Sequence, residues 1–305
     1  MTVLIDFSQL AFASFFINQQ NASSDNFFKY LVLNMLRKII MTTHPDEVVL
    51  CTDYKSWRKK VFSLYKYSRK ARVGDAKELY SLMDSFIEEM RVNFPYKVVR
   101  VEYAEGDDCI AILSQKLQGD IVAVSSDKDL QQLVRKGVQI YNPFKDMVIK
   151  DANPQQLEEL YIYGDSGDGI PNILSRDEIF TVENERQKSI TKKLLLEIHN
   201  SGGVDAWAEG QSSDIQKNLE RNKKLIGLTL ENIPFEIQTE VLKQYFESKP
   251  INSGKKIAEY FNAKEMNSFS DCINEFLMGG VTYEVPFVDV PLEIEEDKDL
   301  SGLFE

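Results

Sequence analysis

Over the first half of the chain, short runs rich in β-branched residues alternate with longer stretches of helical spacing. The runs TVLIDF, EVVLCTD, KVVRVEY, DIVAVSS and GVQIY read as strands, and segments such as NFFKYLVLNMLRKIIMTT and ELYSLMDSFIEEMRVNF read as helices. Strands interleaved with helices predict an α/β fold with a mostly parallel central sheet covered on both faces. From about residue 150 the strand pattern fades, and NPQQLEELYIYG, RQKSITKKLLLEIHN and EIQTEVLKQYFES carry helical spacing instead. The expected organisation is an α/β core over residues 1–150, a helical region over 151–285 and a charged, flexible tail over 286–305. No internal repeat is visible.

The same pattern shows where acids fall. In DIVAVSSDKDLQQL, residues 120–133, a buried strand runs through Ser-Ser into a helix whose first turn holds Asp127 and Asp129. Helix capping, worth roughly 0.5–2 kcal/mol, accounts for one of them but not for both. Asp6 ends the first strand and Asp53 follows the second. Glu105, Asp107 and Asp108 sit at the next strand-to-helix turn, ahead of a helix whose buried face is marked by Ile110, Leu113 and Leu117. YGDSGDGIPN adds Asp165 and Asp168.

Each acid alone is equally well read as a cap or a turn residue. In an open parallel sheet, however, ligands gather beyond the C-terminal ends of the strands, and converging carboxylates repel unless cations neutralise them. His44 and His199 lie outside the acid-bearing turns, and Cys51, Cys109 and Cys272 form no CxxC pair, so the ligand set is all oxygen. That favours magnesium or manganese over zinc. Two such ions roughly 4 Å apart are a recurrent device for phosphodiester cleavage.

Net charge first argues against a nucleic-acid partner, because the 305-residue chain carries a formal charge of -12. The last 17 residues, DVPLEIEEDKDLSGLFE, hold seven acids and one Lys. Setting these and the nine strand-end acids aside leaves 32 acids against 35 bases. The stretch after Asp53, YKSWRKKVFSLYKYSRKARV, has eight basic residues (Lys55, Arg58, Lys59, Lys60, Lys66, Arg69, Lys70, Arg72), no acid, and aromatics at Tyr54, Trp57, Phe62, Tyr65 and Tyr67. A solvated basic helix face is the bland reading. Its place between two cluster acids favours binding of single-stranded or frayed nucleic acid, with cations on phosphates and rings on bases.

An apolar fraction of 43% suits a normal core. Cysteine usage fits a reducing, intracellular setting, and neither an export signal nor a run of about 18 apolar residues is present, so a soluble cytoplasmic protein is expected. The phosphate loop, the dinucleotide fingerprint and the nucleophile elbow are all missing from the sequence.

LIDFSQLAF, CTDYKSWRKKVFSLYKYSRKAR, AEGDDCIAIL, SSDKDLQQL and GDSGDGIPNI occur in the order and spacing of the 5′ nuclease (flap endonuclease) superfamily. The chain resembles its bacteriophage members most, through GKKIAEYFNAKEMNSFSDCINEF at residues 254–276. The resemblance implies a PIN-like core with a helical arch at 54–74 and a helix-three-turn-helix starting at GDSGDGIPNI. It implies a magnesium-dependent 5′ to 3′ exonuclease and flap endonuclease with ribonuclease H activity, which removes RNA primers and adjacent DNA in lagging-strand replication.

On the same resemblance, two Mg2+ ions, or Mn2+ in their place, are held by Asp6, Asp53, Glu105 and Asp107, supported by Asp108, and by Asp127, Asp129, Asp165 and Asp168. Lys66 and Arg69 contact the scissile phosphate, and Tyr65 stacks on a displaced base. After Asn172 the chain reads ILSRDEIF and departs from the Gly-rich continuation of the family, leaving Lys188, Lys192 and Lys193 as candidate phosphate contacts. Expected partners are DNA and RNA/DNA duplexes with 5′ ends or flaps, a sliding clamp and a single-strand-binding protein, with the chain itself a monomer in the cytoplasm of a host cell. The rival readings are a PIN-like ribonuclease and a non-catalytic nucleic-acid or clamp-binding module on the same fold. The tail continues past the end of the family pattern, and its last residues resemble clamp-docking peptides, with Leu300, Leu303 and Phe304 as the contacts. Deleting residues 299–305 is expected to abolish clamp stimulation in a nuclease assay while sparing basal cleavage; unchanged stimulation counts against the docking peptide.

Overall fold

The first strand, β1 (Thr2–Asp6), buries Val3, Leu4 and Ile5 completely. Their alternation sends Val3 and Ile5 into one core and Leu4 into another, so both faces of the sheet need cover. The computed structural model describes residues 1–21, 24–67 and 76–283. β1 lies inside a six-stranded sheet in the order β3-β2-β1-β4-β5-β6, with β2 (Glu47–Cys51), β3 (Lys97–Val99), β4 (Ile121–Val124), β5 (Val138–Asn142) and β6 (Met147–Ile149). The first five strands are parallel, with Leu4 paired to Val49 on one side and to Ala123 on the other. Successive strands add on one side of β1 up to β3 and on the other from β4, which makes the β1–β4 junction the topological switch point. Five strands match those read from the sequence. The sixth pairs antiparallel to β5 and, at three residues, is too short to show a period-2 pattern.

One face is covered by α1 (Phe7–Asn21), α2 (Asp25–Thr43) and α4 (Ala76–Asn93). α2 starts where the Ser24 side chain accepts a hydrogen bond from the Phe27 amide, at 3.1 Å. α3 (Arg58–Val61) is a single turn within the basic stretch. On the other face, α5 (Gly106–Lys116) is buried from Asp108 to Ser114 rather than along one stripe, because it is sandwiched between the sheet and α10 (Phe235–Glu247).

A smaller core, formed by Ile162, Ile173, Ile198, Trp207 and Leu219, joins α6 (Pro154–Tyr163), α7 (Lys192–Asn200), α8 (Val204–Glu209) and α9 (Ser213–Ile226). α7 is shorter than the expected helix because Thr191 caps it, accepting from the Leu194 amide at 3.2 Å. After α9 the chain returns to the sheet. α10 packs on α5, while α11 (Gly254–Ala263) and the 3-10 helix Asn267–Phe276 complete the core beneath α2 and α4. Residues from both sides of position 150 therefore share the two cores that face the sheet. Among the described residues, no helix is long and apolar enough to cross a membrane.

Phe276 is fully buried and packs its ring on Phe94, Phe261 and Phe269 at 6.0, 5.3 and 5.4 Å. Phe276→Ala is expected to lower the stability of the whole sheet-centred core by about 3–5 kcal/mol in urea denaturation. A loss confined to a separate C-terminal transition contradicts this packing.

Candidate active site

Asp6 emerges at the end of β1, at the switch point, and its two carboxylate oxygens accept from the Gln9 amide and the Ser125 hydroxyl, each at 3.1 Å. Asp53 lies two residues past β2. Its amide donates to Ser8 Oγ at 2.8 Å, and its Oδ1 accepts from the Gly106 amide at 2.6 Å. A Cβ on Gly106 would come within 3.2 Å of that same Oδ1 and 3.3 Å of the Cys51 carbonyl, so glycine is what lets the start of α5 approach Asp53. Ser8, Ser56, Ser125 and Gly106 are positioning residues that sequence reasoning missed. The Ser two places after Asp6 and the Gly inside Glu105–Asp107 were the available signals.

Glu105 and Asp108 form a reciprocal capping box at the N-terminus of α5. Glu105 Oε2 accepts from Ser56 Oγ, Arg58 Nη1 and the Tyr65 hydroxyl at 2.8–2.9 Å, and Oε1 pairs with Lys66. Asp108 accepts from both Arg58 Nη groups at 2.9 and 2.8 Å, from Trp57 Nε1 at 3.1 Å and from the Glu105 amide at 3.0 Å. Carboxylate oxygens of Glu105, Asp107 and Asp108 lie within 4.8 Å of one another.

The stretch after β4 forms a 3-10 helix, Lys128–Leu133, in place of the expected α-helix. Asp127 is its cap and accepts from the Asp129 amide at 2.9 Å, so capping does account for one of the two acids. Asp129 remains unexplained by local structure: its Oδ1 is buried and has no hydrogen-bond partner among the described residues. Asp165 and Asp168 lie on a tight turn closed by the paired backbones of Asp165 and Ile170. Asp165 Oδ1 accepts from the Gly167 amide at 2.8 Å, and Asp168 Oδ2 accepts from the Tyr65 hydroxyl at 2.8 Å.

Electrostatics tie these acids into one set. Burial, with Asp53 and then Asp127 nearby, pushes Asp6 up to about 7. Burial, with Asp127 and Asp165, does the same to Asp129, also to about 7. Burial raises Asp53, helped by Glu105 and opposed by Lys66. Asp107 is pushed well above the usual carboxylate range by burial, against the pull of Arg58. For Glu105, burial is outweighed by Lys66 and Arg58, which hold it at about 2. Carboxylates that repel and a buried carboxylate oxygen left without a donor are what a cation would satisfy, and the all-oxygen donor set fits a hard divalent ion.

Comparison with known proteins agrees. Residues 1–161 match the model of the 5′-3′ exonuclease N-terminal resolvase-like domain, and residues 156–276 match that of the T4 RNase H C-terminal domain. The chain belongs to the 5′-3′ exonuclease family. Ribonuclease H of Enterobacteria phage T4 is 28% identical over 297 residues, covering 90% of this chain and 95% of that protein. A Shewanella denitrificans flap endonuclease Xni is 29% identical over 169 residues, spanning 51% of this chain and 65% of Xni. The fold is shared with a bacteriophage T5 flap endonuclease solved with DNA and metal ions, at TM-score 0.61 and 17% identity, covering 81% of this chain and 98% of that one. It is likewise shared with a zinc-bound T5 5′-exonuclease at TM-score 0.59 and 16% identity, with the same coverage.

Within this exonuclease fold, two sequence expectations change. Arg58, expected on nucleic acid, is 1% exposed and fully engaged with Glu105, Asp108 and, through Nε, the Leu225 carbonyl at 2.7 Å. Tyr65, expected to stack on a base, is 3% exposed, with its hydroxyl between Glu105 and Asp168. Asp108, expected to support the first metal's ligands, accepts from Arg58, Trp57 and the Glu105 amide, and so holds the turn at Glu105 in place. Trp57 and Phe62 are buried too, leaving Tyr54 and Tyr67 as the exposed aromatics of the described part of the basic stretch. Lys55, Lys59, Lys188 and Lys192 are exposed. Arg69, Arg72, Leu300, Leu303 and Phe304 lie outside the described residues.

The raised carboxyls predict a pH dependence. With folded-state values near 7 against 3.8 unfolded, Asp6 and Asp129 give the folded state the greater proton uptake between about pH 4 and 7. Their contribution is therefore present below pH 4 and is lost as the pH rises through 7. Glu105, at about 2, has the opposite sign but acts below this window. In EDTA the melting temperature should fall between pH 5 and pH 8, and Mg2+ at pH 8 should reverse the fall. A flat profile in EDTA, or no response to Mg2+, contradicts the acid set.

Proposed function

We propose that this chain is a magnesium-dependent 5′ to 3′ exonuclease and flap endonuclease, acting on DNA and RNA/DNA duplexes with 5′ ends or flaps, and that it removes RNA primers in lagging-strand replication. The observation that carries this reading is the orphaned Oδ1 of Asp129, set among mutually repelling acids at the switch point of the sheet. Likeness to a ribonuclease H along 90% of the chain supports the primer-removal role.

Asp6, Asp53, Glu105 and Asp107 would hold one cation, and Asp127, Asp129, Asp165 and Asp168 a second, with Mn2+ as a substitute. Bound there, such ions supply Lewis-acid polarisation of phosphoryl oxygens and neutralise charge on the phosphate. The chain's own residues do the rest. Glu105, held at about 2, stays ionised at working pH and keeps its place as an acceptor. Lys66, paired with Glu105 and 3.7 Å from Asp168, keeps a cation at the edge of the acid set for a phosphate, and Arg69 is its proposed companion. Exposed Lys55 and Lys59, with Lys188 and Lys192 on the helical region, offer counter-charge to the nucleic-acid backbone. An acid cluster set toward a polyanion would weaken a pure binding module, which favours the catalytic reading over it.

The test is cleavage of a 5′-labelled duplex carrying an RNA primer or a flap. Short 5′ products are expected with Mg2+ and none with EDTA, and Asp129→Asn should lower the rate by about a hundredfold or more. Tight binding without cleavage in any divalent metal would replace this reading with the binding-module one.

A further inference from the structure

Lys66 is held in an unusual way. Its φ is +55°, a left-handed conformation that is costly for a non-glycine residue and persists only where surroundings enforce it. Here the Lys66 amide donates to the Asp168 carbonyl at 2.7 Å. Next to Asp168 on the same turn, Gly169 approaches so closely that a Cβ there would lie 3.0 Å from the Leu64 carbonyl. The backbone of Lys66 is thus fastened to the turn bearing Asp165 and Asp168, while its ammonium reaches Glu105 on α5 and lies 3.7 Å from Asp168 Oδ2. Glu105 and Asp168 belong to the two different ligand groups named above, so one ammonium bridges both. The neighbouring Tyr65 hydroxyl has a single proton yet faces carboxylate oxygens of the same two residues at 2.8 Å each, so it satisfies only one at a time. Ser56 and Arg58 also meet Glu105 Oε2, whereas Glu105 Oε1 pairs with Lys66 and Asp168 Oδ2 has the Lys66 ammonium at 3.7 Å.

We propose that the Lys66 ammonium is the built-in counter-ion of the metal-free site, competing with divalent cations for Glu105 and Asp168 until it is displaced onto a substrate phosphate. This rests on the metal-dependent nuclease reading. An ammonium and a divalent ion sharing the same carboxylates repel each other, so each weakens the other's hold on them. Once released from Glu105, Lys66 remains tethered by its backbone to the Asp165–Asp168 turn and is available for an anion at the same edge. Cation and phosphate binding are then coupled through one side chain, and by linkage each strengthens the other.

Calorimetric titration of Mg2+ into the EDTA-dialysed full chain, without nucleic acid, tests this. Lys66→Met is expected to bind the first ion about tenfold or more tightly than the wild type. Lys66→Arg, which keeps the charge, should stay within about threefold of wild type. Melting temperatures in EDTA confirm that both variants are folded, and the Arg variant carries the test if the Met variant is not: tighter Mg2+ binding by it would overturn the inference. Unchanged or weaker binding by a folded Lys66→Met overturns the counter-ion role while leaving the metal site standing. No Mg2+ binding by any of the three proteins overturns both.

Discussion

Mutual repulsion among carboxylates is the constraint around which this molecule is arranged. A parallel sheet delivers the ends of β1, β2 and β4 to one edge, and the chain places an acid at or just beyond each. Desolvation makes every such charge costly by several kcal/mol unless it is compensated. The fold compensates in three ways. The first turn of α5 directs amides at its acids. Serine hydroxyls and free amides accept or donate around Asp6 and Asp53. Arg58, fully buried, neutralises Glu105 and Asp108 from behind. What these leave is a raised carboxyl at Asp6, Asp107 and Asp129, the last with a buried oxygen that has no hydrogen-bond partner among the described residues.

Much of this was legible because it is local. Period-2 runs located five strands, and the acids could be read as strand-end residues without knowing the pairing order. Asp127 as a cap was likewise a reading within a few residues. What was not legible depends on contacts distant in sequence. Arg58 stands in a run of basic residues with nothing adjacent to set it apart, and its partners are 47, 50 and 167 residues away. Tyr65 looks like a stacking residue for the same reason, yet its partners are 40 and 103 residues away. The return of residues 254–276 to the sheet was also hidden, since an aromatic face on a short helix shows that it is buried but not against what.

Those distant contacts converge on the end of α9, and this says how the site is held. The Leu225 carbonyl accepts from Arg58 Nε at 2.7 Å, and the next carbonyl, of Ile226, accepts from Gln132 Nε2 at 3.2 Å. Gln132 Oε1 in turn accepts from the Leu228 amide at 2.8 Å, and its Nε2 also reaches the Asp129 carbonyl at 2.8 Å. The last turn of one helix therefore fixes Arg58, hence Glu105 and Asp108, and also the 3-10 helix that carries Asp129. α9 belongs to the small helical core, not to the sheet. A displacement of α6–α9 could not leave these acids where they are: it would break the buried hydrogen bond from Arg58 to Leu225 or shift the 3-10 helix that carries Asp129. Helical region and acid set are thus tied together by hydrogen bonds through the end of α9.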